Sequence, residues 1–146
     1  MSELNVEEIR MHLLAAAKRQ GFNQWLAPEL LVAERDRVEI SVQVRPEMTQ
    51  HHGFVHGGCV AALADTACAW TGAMACGRDV VTSNYSIHFV APAIGTKLRA
   101  VGIVLKTGRT MVTVEVKVYA EAEDRPPKLC ATGMASIAIL PEKKAA

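Results

Sequence analysis

Residues 50–77 read QHHGFVHGGCVAALADTACAWTGAMACG, and this stretch decides how the chain folds. From Gly57 to Gly77 the one charged residue is Asp65. A run of about 20 apolar residues is long enough to cross a bilayer. This one is rich in Gly, Ala, Thr and Cys, and the chain on either side reads as strands of a water-soluble sheet. A water-soluble helix that is apolar all round must be covered on nearly every side. The expectation is therefore a buried helix over about Gly57–Cys76, ended by Gly77, with no membrane as partner.

Outward from that helix the pattern is simpler. Asn5 and Glu8 have the spacing of a capping box, with Ile9, Leu13 and Leu14 following, so a first helix is expected from about residue 6 to residue 20, stopping at Gly21. Leu30 to Val44 reads as a strand pair turning at Arg35-Asp36-Arg37; Ile40, Val42 and Val44 alternate with Glu39, Ser41 and Gln43. After the buried helix, Val81, Tyr85, Ile87 and Phe89 alternate with Thr82, Asn84, Ser86 and His88 until Pro92. A strand over Leu98–Leu105 follows, then a hairpin at Thr107-Gly108-Arg109, where Gly108 is expected to supply a positive φ. Val112, Val114, Val116 and Val118 mark one face of the next strand. Pro126-Pro127 is expected in a second hairpin loop, Leu129–Leu140 in a last strand, and Glu142–Ala146 in a frayed tail. No repeat or linker divides the chain. The whole of 1–146 reads as one α+β domain, an antiparallel sheet wrapped around one long central helix.

Composition narrows the function. The chain has 146 residues and a net charge of +1, which gives no electrostatic reason to expect nucleic acid. Aromatic residues are 5% of the chain, too few for a base-stacking platform. Cys59, Cys68, Cys76 and Cys130 contain no C-x-x-C pair, which argues against a zinc ribbon or a thioredoxin-like motif and fits a reduced, cytoplasmic protein. Residues 1–10 are charged and lack the apolar core of a signal peptide. His51, His52 and His56 lie close together, but no Asp, Glu or Cys completes a ligand set, so no metal is expected. No G-x-S-x-G elbow supports an α/β-hydrolase triad.

The chemistry-bearing residues gather around the same helix. Gly57 and Gly58 open it, where backbone N–H groups lack internal partners and sit at the positive end of the dipole. That makes an oxyanion-binding spot, or more plainly a tight loop-to-helix junction. Asp65 is the other piece, because an unpaired buried carboxylate is costly unless it has a partner or a task. Gly57 and Asp65 are eight residues apart, about 12 Å along one helix. That is too far for both to touch one reacting carbonyl. Two copies packed antiparallel across a twofold axis bring the Gly57 of one beside the Asp65 of the other, so a homo-oligomer, at least a dimer, is expected. Lys97, Arg99, Lys106 and Arg109 are expected to cluster around one hairpin as a site for a polyanion, with Arg109 the best single choice.

These residues resemble the PaaI-type (phenylacetate-degradation) branch of the hotdog-fold acyl-CoA thioesterases. The resemblance covers roughly Val38 to Leu140 and rests on His56-Gly57-Gly58, on Leu63-Ala64-Asp65, on the strand from Thr82 to Ala91-Pro92-Ala93, and on Gly108-Arg109. It implies a hotdog fold and hydrolysis of an acyl-CoA to free acid and CoA, without a cofactor. It implies that the Gly57 N–H polarises the thioester carbonyl, that Asp65 acts as general base or nucleophile, and that Thr82 helps hold the attacking water. Many members carry Asn six residues before the position of His56. This chain has Gln50 there, which keeps the amide donor on a longer arm. His56 either hydrogen-bonds near the leaving thiolate or shapes the loop. Gly58, Ser83 and Arg109 are the expected substrate-binding residues. The implied assembly is a dimer as minimal active unit and a tetramer in full. Two other readings are a non-catalytic acyl-CoA binding module and a hotdog hydratase or dehydratase. The acyl group is not legible.

Overall fold

The computed structural model describes residues 3–144, so Met1, Ser2, Ala145 and Ala146, parts of the expected N-terminal segment and tail, lie outside the described residues. Helix α1 spans Val6–Lys18 and opens with the expected capping box: the Asn5 side chain accepts from Glu8 N–H, and the Glu8 carboxylate accepts from Asn5 N–H. The chain does not simply stop at Gly21. A second short helix, α2 (Gly21–Leu26), follows and buries Leu26. Strands β1 (Glu29–Ala33) and β2 (Arg37–Gln43) form the expected pair. A single 3-10 turn at Pro46–Met48 leads into the loop before helix α3, Gly57–Cys76. Gly77 ends α3 in the left-handed region at φ 67. Strands β3 (Val80–Phe89), β4 (Lys97–Thr107), β5 (Met111–Ala122) and β6 (Arg125–Ile139) complete the chain.

All six strands form one antiparallel sheet in the order β1-β2-β4-β5-β6-β3. The sheet curls around α3, which packs on every strand from β2 to β6. Val112, Val114, Val116 and Val118 are buried on the inner face as their spacing requires; each is worth about 1.5–3 kcal/mol on full burial. Helix and sheet touch backbone to side chain in two places. A Cβ on Gly72 would stand 2.6 Å from Ile137 Cγ2, and one on Gly102 would stand 2.2 Å from Thr71 Oγ1.

Four expectations are corrected. By length and composition α3 can cross a membrane; here one of its faces lies on the sheet, while Ala62, Asp65, Thr66, Ala69 and Ala73 are only half-buried. Cover on nearly every side is thus not found within one chain, and Cys59 and Cys76 are likewise half-buried. Gly108 is not among the positive-φ glycines, which are Gly53 and Gly77. It is instead a close-approach position, since a Cβ there would meet the Met111 carbonyl oxygen at 3.1 Å. Pro126 and Pro127 lie inside β6 rather than in a loop. The register slips there between Ala120 and Ala122, and a bulge tolerates residues that donate nothing to the ladder. Finally, the four cations form no cluster. Lys97 and Arg99 sit at one end of β4 and Lys106 and Arg109 at the other, roughly 30 Å apart for Lys97 and Lys106 at strand rise. Arg99 pairs with Glu121 and lies over the Tyr119 ring.

Candidate active site

The loop before α3 is built to aim its first turn. Thr49 and Val55 pair as a miniature antiparallel bridge, and Gln50 N–H donates to Phe54 O at 2.8 Å around a turn in which Gly53 takes φ +83. The loop is tied down by His56 N–H to Met48 O at 2.8 Å and by Val55 N–H to Ala93 O at 3.0 Å. His56 is the N-cap of α3: its Nδ1 accepts from Gly58 N–H at 2.8 Å. Cys59 and Val60 N–H both go to the His56 carbonyl. The Gly58 donor is therefore spent on the cap. Among the described residues the Gly57 N–H alone in this first turn has no acceptor. It is half-buried, with the Phe89 ring beside it. His56 thus shapes the helix start, and the residue is exposed.

Gln50 is half-buried, and its amide oxygen accepts from the backbone N–H of His52 within the same loop. With the oxygen so engaged, the NH₂ group is the amide's remaining hydrogen-bonding end.

Asp65 lies two turns further along α3 and is half-buried rather than fully enclosed. Its Oδ1 accepts from Thr82 Oγ1 at 2.7 Å. Thr82 reaches it from the start of β3, just before the register with β6 slips between Thr82 and Asn84. The slip makes Ser83 the extra residue of a bulge, and Ser83 is exposed. A bulge re-aims the strand locally, which separates the helix-facing Thr82 from the outward Asn84, Ser86 and His88. Arg109 is exposed in the β4–β5 turn. Thr82, Ile137 and Val112 stand in one row across β3, β6 and β5. Arg109 is thus at the Thr82 end of the sheet, with about 10 Å between Thr82 and β5.

The structure therefore joins Asp65 to Thr82, and joins His56, Gly57 and Gly58, but leaves these two groups apart within one chain. Next to Asp65 the buried thiol of Cys68 is pushed up to about 12, chiefly by burial and secondarily by the Asp65 charge. It stays a neutral packing group. No cluster of three or more His, Cys, Asp or Glu able to hold a metal occurs among the described residues. Sequence reasoning missed a cavity of about 560 Å³ between α3 and the α1–α2 segment, with Asp65 in its lining. Its signal was present in Ala62, Asp65, Ala69 and Ala73, small residues at three- and four-residue spacing on the helix side away from Leu63, Ala67 and Met74.

A family model described as the thioesterase superfamily matches residues 52–126. A Saccharolobus solfataricus protein that carries an esterase name is 28% identical over 125 residues, 82% of this chain and 84% of that protein. A thioesterase family protein from Silicibacter pomeroyi has a solved structure similar to this one at a TM-score of 0.85 and 26% identity, over 90% of this chain and 98% of that one. The E. coli PaaI protein from the phenylacetic acid degradation operon shares the fold at a TM-score of 0.81 and 20% identity, over 93% of this chain and 96% of that one.

Proposed function

This chain belongs to the thioesterase superfamily, and from that premise we propose that it hydrolyses an acyl-CoA, in the manner of the PaaI-type branch, with Asp65 as catalytic carboxylate. The observation that carries the reading is the Thr82 hydroxyl donating to Asp65 Oδ1 at 2.7 Å, on a carboxylate that lines a cavity. That bond fixes one carboxylate oxygen and leaves the other to act. As general base, Asp65 takes a proton from water while the water oxygen attacks the thioester carbon. As nucleophile it attacks that carbon itself, and water then hydrolyses the mixed anhydride. In both cases the carbonyl electron pair moves to oxygen. In this reading the free Gly57 N–H of a second copy and the Gln50 NH₂ receive that charge. In the general-base route, collapse of the tetrahedral species expels CoA as a thiolate, which takes up the proton held by Asp65, and releases the free acid; in the nucleophilic route the same collapse leaves the acyl–Asp65 anhydride, whose hydrolysis releases the acid. A thiolate is a good leaving group, so the reaction needs neither metal nor cofactor.

Assembly follows from the same geometry. Gly57 and Asp65 of one chain stand about 12 Å apart along α3, so this reading takes a composite site with a dimer as the active unit; the tetramer comes from the resemblance to the PaaI-type branch. The exposed apolar residues Tyr85 and Phe89, on the helix-facing side of the edge strand β3, give a second copy a surface to cover. Localisation in the cytoplasm accords with four free cysteines. Gly58 and Ser83 flank the site, and Arg109 is the cation assigned to the phosphates of CoA. Free-thiol release across short, long and aromatic acyl-CoAs tests the activity. Release from at least one supports it; tight binding without release from any points to the binding module, and an enoyl product points to the hydratase.

A further inference from the structure

The cavity that Asp65 lines has the size of a small-molecule site and is walled by α3 on one side and by α1 and α2 on the other. Two arginines set the direction in which these walls run. Arg35 donates from Nη2 to the Leu4 carbonyl at 2.6 Å and from Nη1 to the Ala75 carbonyl at 3.5 Å, which joins the start of α1 to the end of α3. At the same place a Cβ on Gly77 would stand 3.3 Å from Ile9 Cδ1. Arg45, in the segment that leads into α3, donates to the Trp25 and Leu26 carbonyls at the end of α2 and lies over the Trp25 ring. Burial pushes the thiol of Cys59, in the first turn of α3, upward, and the nearby Arg45 charge offsets part of that rise. The α1–α2 segment therefore runs antiparallel to α3. Gln20 and Thr66 are each eleven residues from the contact of Ile9 with Gly77, about 16 Å along the two walls. Gln20 and its neighbour Asn23 thus stand at the level of Thr66 and Asp65.

That end of the cavity is polar. Asn23 is only 7% exposed, and its Nδ2 donates to Gln20 Oε1 at 2.8 Å. Among the described residues Asn23 Oδ1 has no partner, yet it is not one of the two fully enclosed unpartnered atoms, which are Ser41 Oγ and Arg78 Nε. It keeps accessible surface, and the space that Asn23 lines is this cavity. A buried amide oxygen without a donor is costly, so its place here points to a ligand that donates. Gln20 Nε2 is likewise without a partner among the described residues, and Thr66 Oγ1, which donates to the Ala62 carbonyl at 2.8 Å, keeps its lone pairs. The other ionic groups of the lining lie at the opposite end. Arg78 and Asp79 follow Gly77, and Glu142 and Lys143 follow Leu140, whose carbonyl Arg78 holds at 2.7 Å. Between the two ends Leu13, Ala69, Trp70 and Ala73 form an apolar stretch, with the exposed His12 beside it.

We propose that the Asp65 end of the cavity is a hydroxyl subsite, and that the substrates are medium-length acyl thioesters with a hydroxyl on the third carbon. The hydroxyl donates to Asn23 Oδ1 and accepts from Gln20 Nε2. A keto oxygen would meet only the donor, and a carboxylate would stand against the Asp65 charge. The chain beyond the third carbon follows the apolar stretch. The thioester part of the proposal rests on the reading of Asp65 given above, and the hydroxyl preference rests on Asn23 and the cavity.

Two measurements separate these parts. Binding of methyl octanoate and of each enantiomer of methyl 3-hydroxyoctanoate is followed by the fluorescence of Trp70 in a Trp25→Phe background, and needs no turnover. One enantiomer is expected to bind at least about fivefold more tightly than methyl octanoate, the scale of one neutral hydrogen bond. Asn23→Leu removes that preference and leaves the affinity for methyl octanoate within about twofold. Gln20→Met, at an exposed position, weakens the preference and serves if the Asn23 variant does not fold. Equal binding of all three esters, or a preference that survives both variants, overturns the proposal. Thiol release from the corresponding CoA esters is the second measurement, and the same enantiomer is expected to have the highest kcat/KM, by a similar factor. If the esters bind as expected and no CoA ester releases thiol, the hydrolase reading fails and the Asn23 assignment stands. If thiol is released from all three at one rate and binding shows no preference, the hydrolase reading stands and the Asn23 assignment fails.

Discussion

Gly58→Ala separates the role of the α3 cap from the role of the free donor beside it. A Cβ on Gly58 would stand 2.9 Å from His56 Nδ1 and 3.3 Å from its Cε1. The His56 ring must swing away, and its hydrogen bond from Gly58 N–H is lost. Losing a side-chain N-cap costs about 1 kcal/mol, while replacing Gly by Ala within a helix returns up to about 1 kcal/mol. Stability should therefore change little, by about 1 kcal/mol or less. Activity should not be spared, because the same cap sets the direction of the neighbouring Gly57 N–H. Removing an oxyanion donor outright costs about 10²–10³ in kcat; displacing one should cost roughly 10–100-fold. Gly57→Ala makes the counterpart. Its Cβ would meet only the Phe89 ring at 3.5 Å, an ordinary contact, and the N–H is retained. That variant should keep its stability within about 0.5 kcal/mol, the usual effect of a substitution that breaks no feature, and it should lose less activity than Gly58→Ala because the donor keeps its direction. Thiol-release kinetics alongside thermal melts read both. A fully active Gly58→Ala enzyme would refute the argument that the cap aims the donor.

Thr82→Val keeps the shape and β-branching but removes the donor to Asp65; kcat should fall about tenfold or more, the scale of a bond to a charged acceptor, with KM unchanged in steady-state assays. Gln50→Ala should lower kcat by roughly 10–100-fold with little change in melting temperature, while Gln50→Asn should remain active; a fully active Ala variant would make Gln50 a loop spectator. Cys68 should resist a thiol reagent at pH 8 in the folded protein, because burial raises its thiol to about 12 and so keeps it protonated at that pH. Mass spectrometry after labelling checks this, and rapid modification at Cys68 would contradict its enclosed position.

What the sequence made legible follows the strength of its periodic signals. The bounds of α3 were readable because two glycines open it and Gly77 closes it, and the β5 valines marked their face by strict alternation. The capping box at Asn5 and Glu8 was equally direct. Helix α2 was missed because Gly21, read as a stop, opens a new six-residue helix instead. The prolines of β6 were misplaced because a bulge, set by register across the sheet, accommodates them. The cation cluster failed because nearness along a strand was read as nearness in space. At the candidate site, the types of residue were visible but their bonds were not. Nothing in a one-dimensional reading says that Gly58 spends its N–H on His56, or that the Thr82 hydroxyl reaches Asp65. The cavity lay hidden for the same reason, since it joins α1, α2, α3 and the segment after β6.

The most direct test of the central claim is thiol release by Asp65→Asn on the best acyl-CoA found for the unaltered protein. The amide is nearly isosteric and can still accept the Thr82 hydrogen bond, so the fold and the assembly should survive in melting and sedimentation measurements. It can neither take a proton from water nor attack as an anion, so kcat should fall by about 100-fold or more. A near-unaltered rate in this folded variant would contradict the assignment of Asp65 as the catalytic carboxylate.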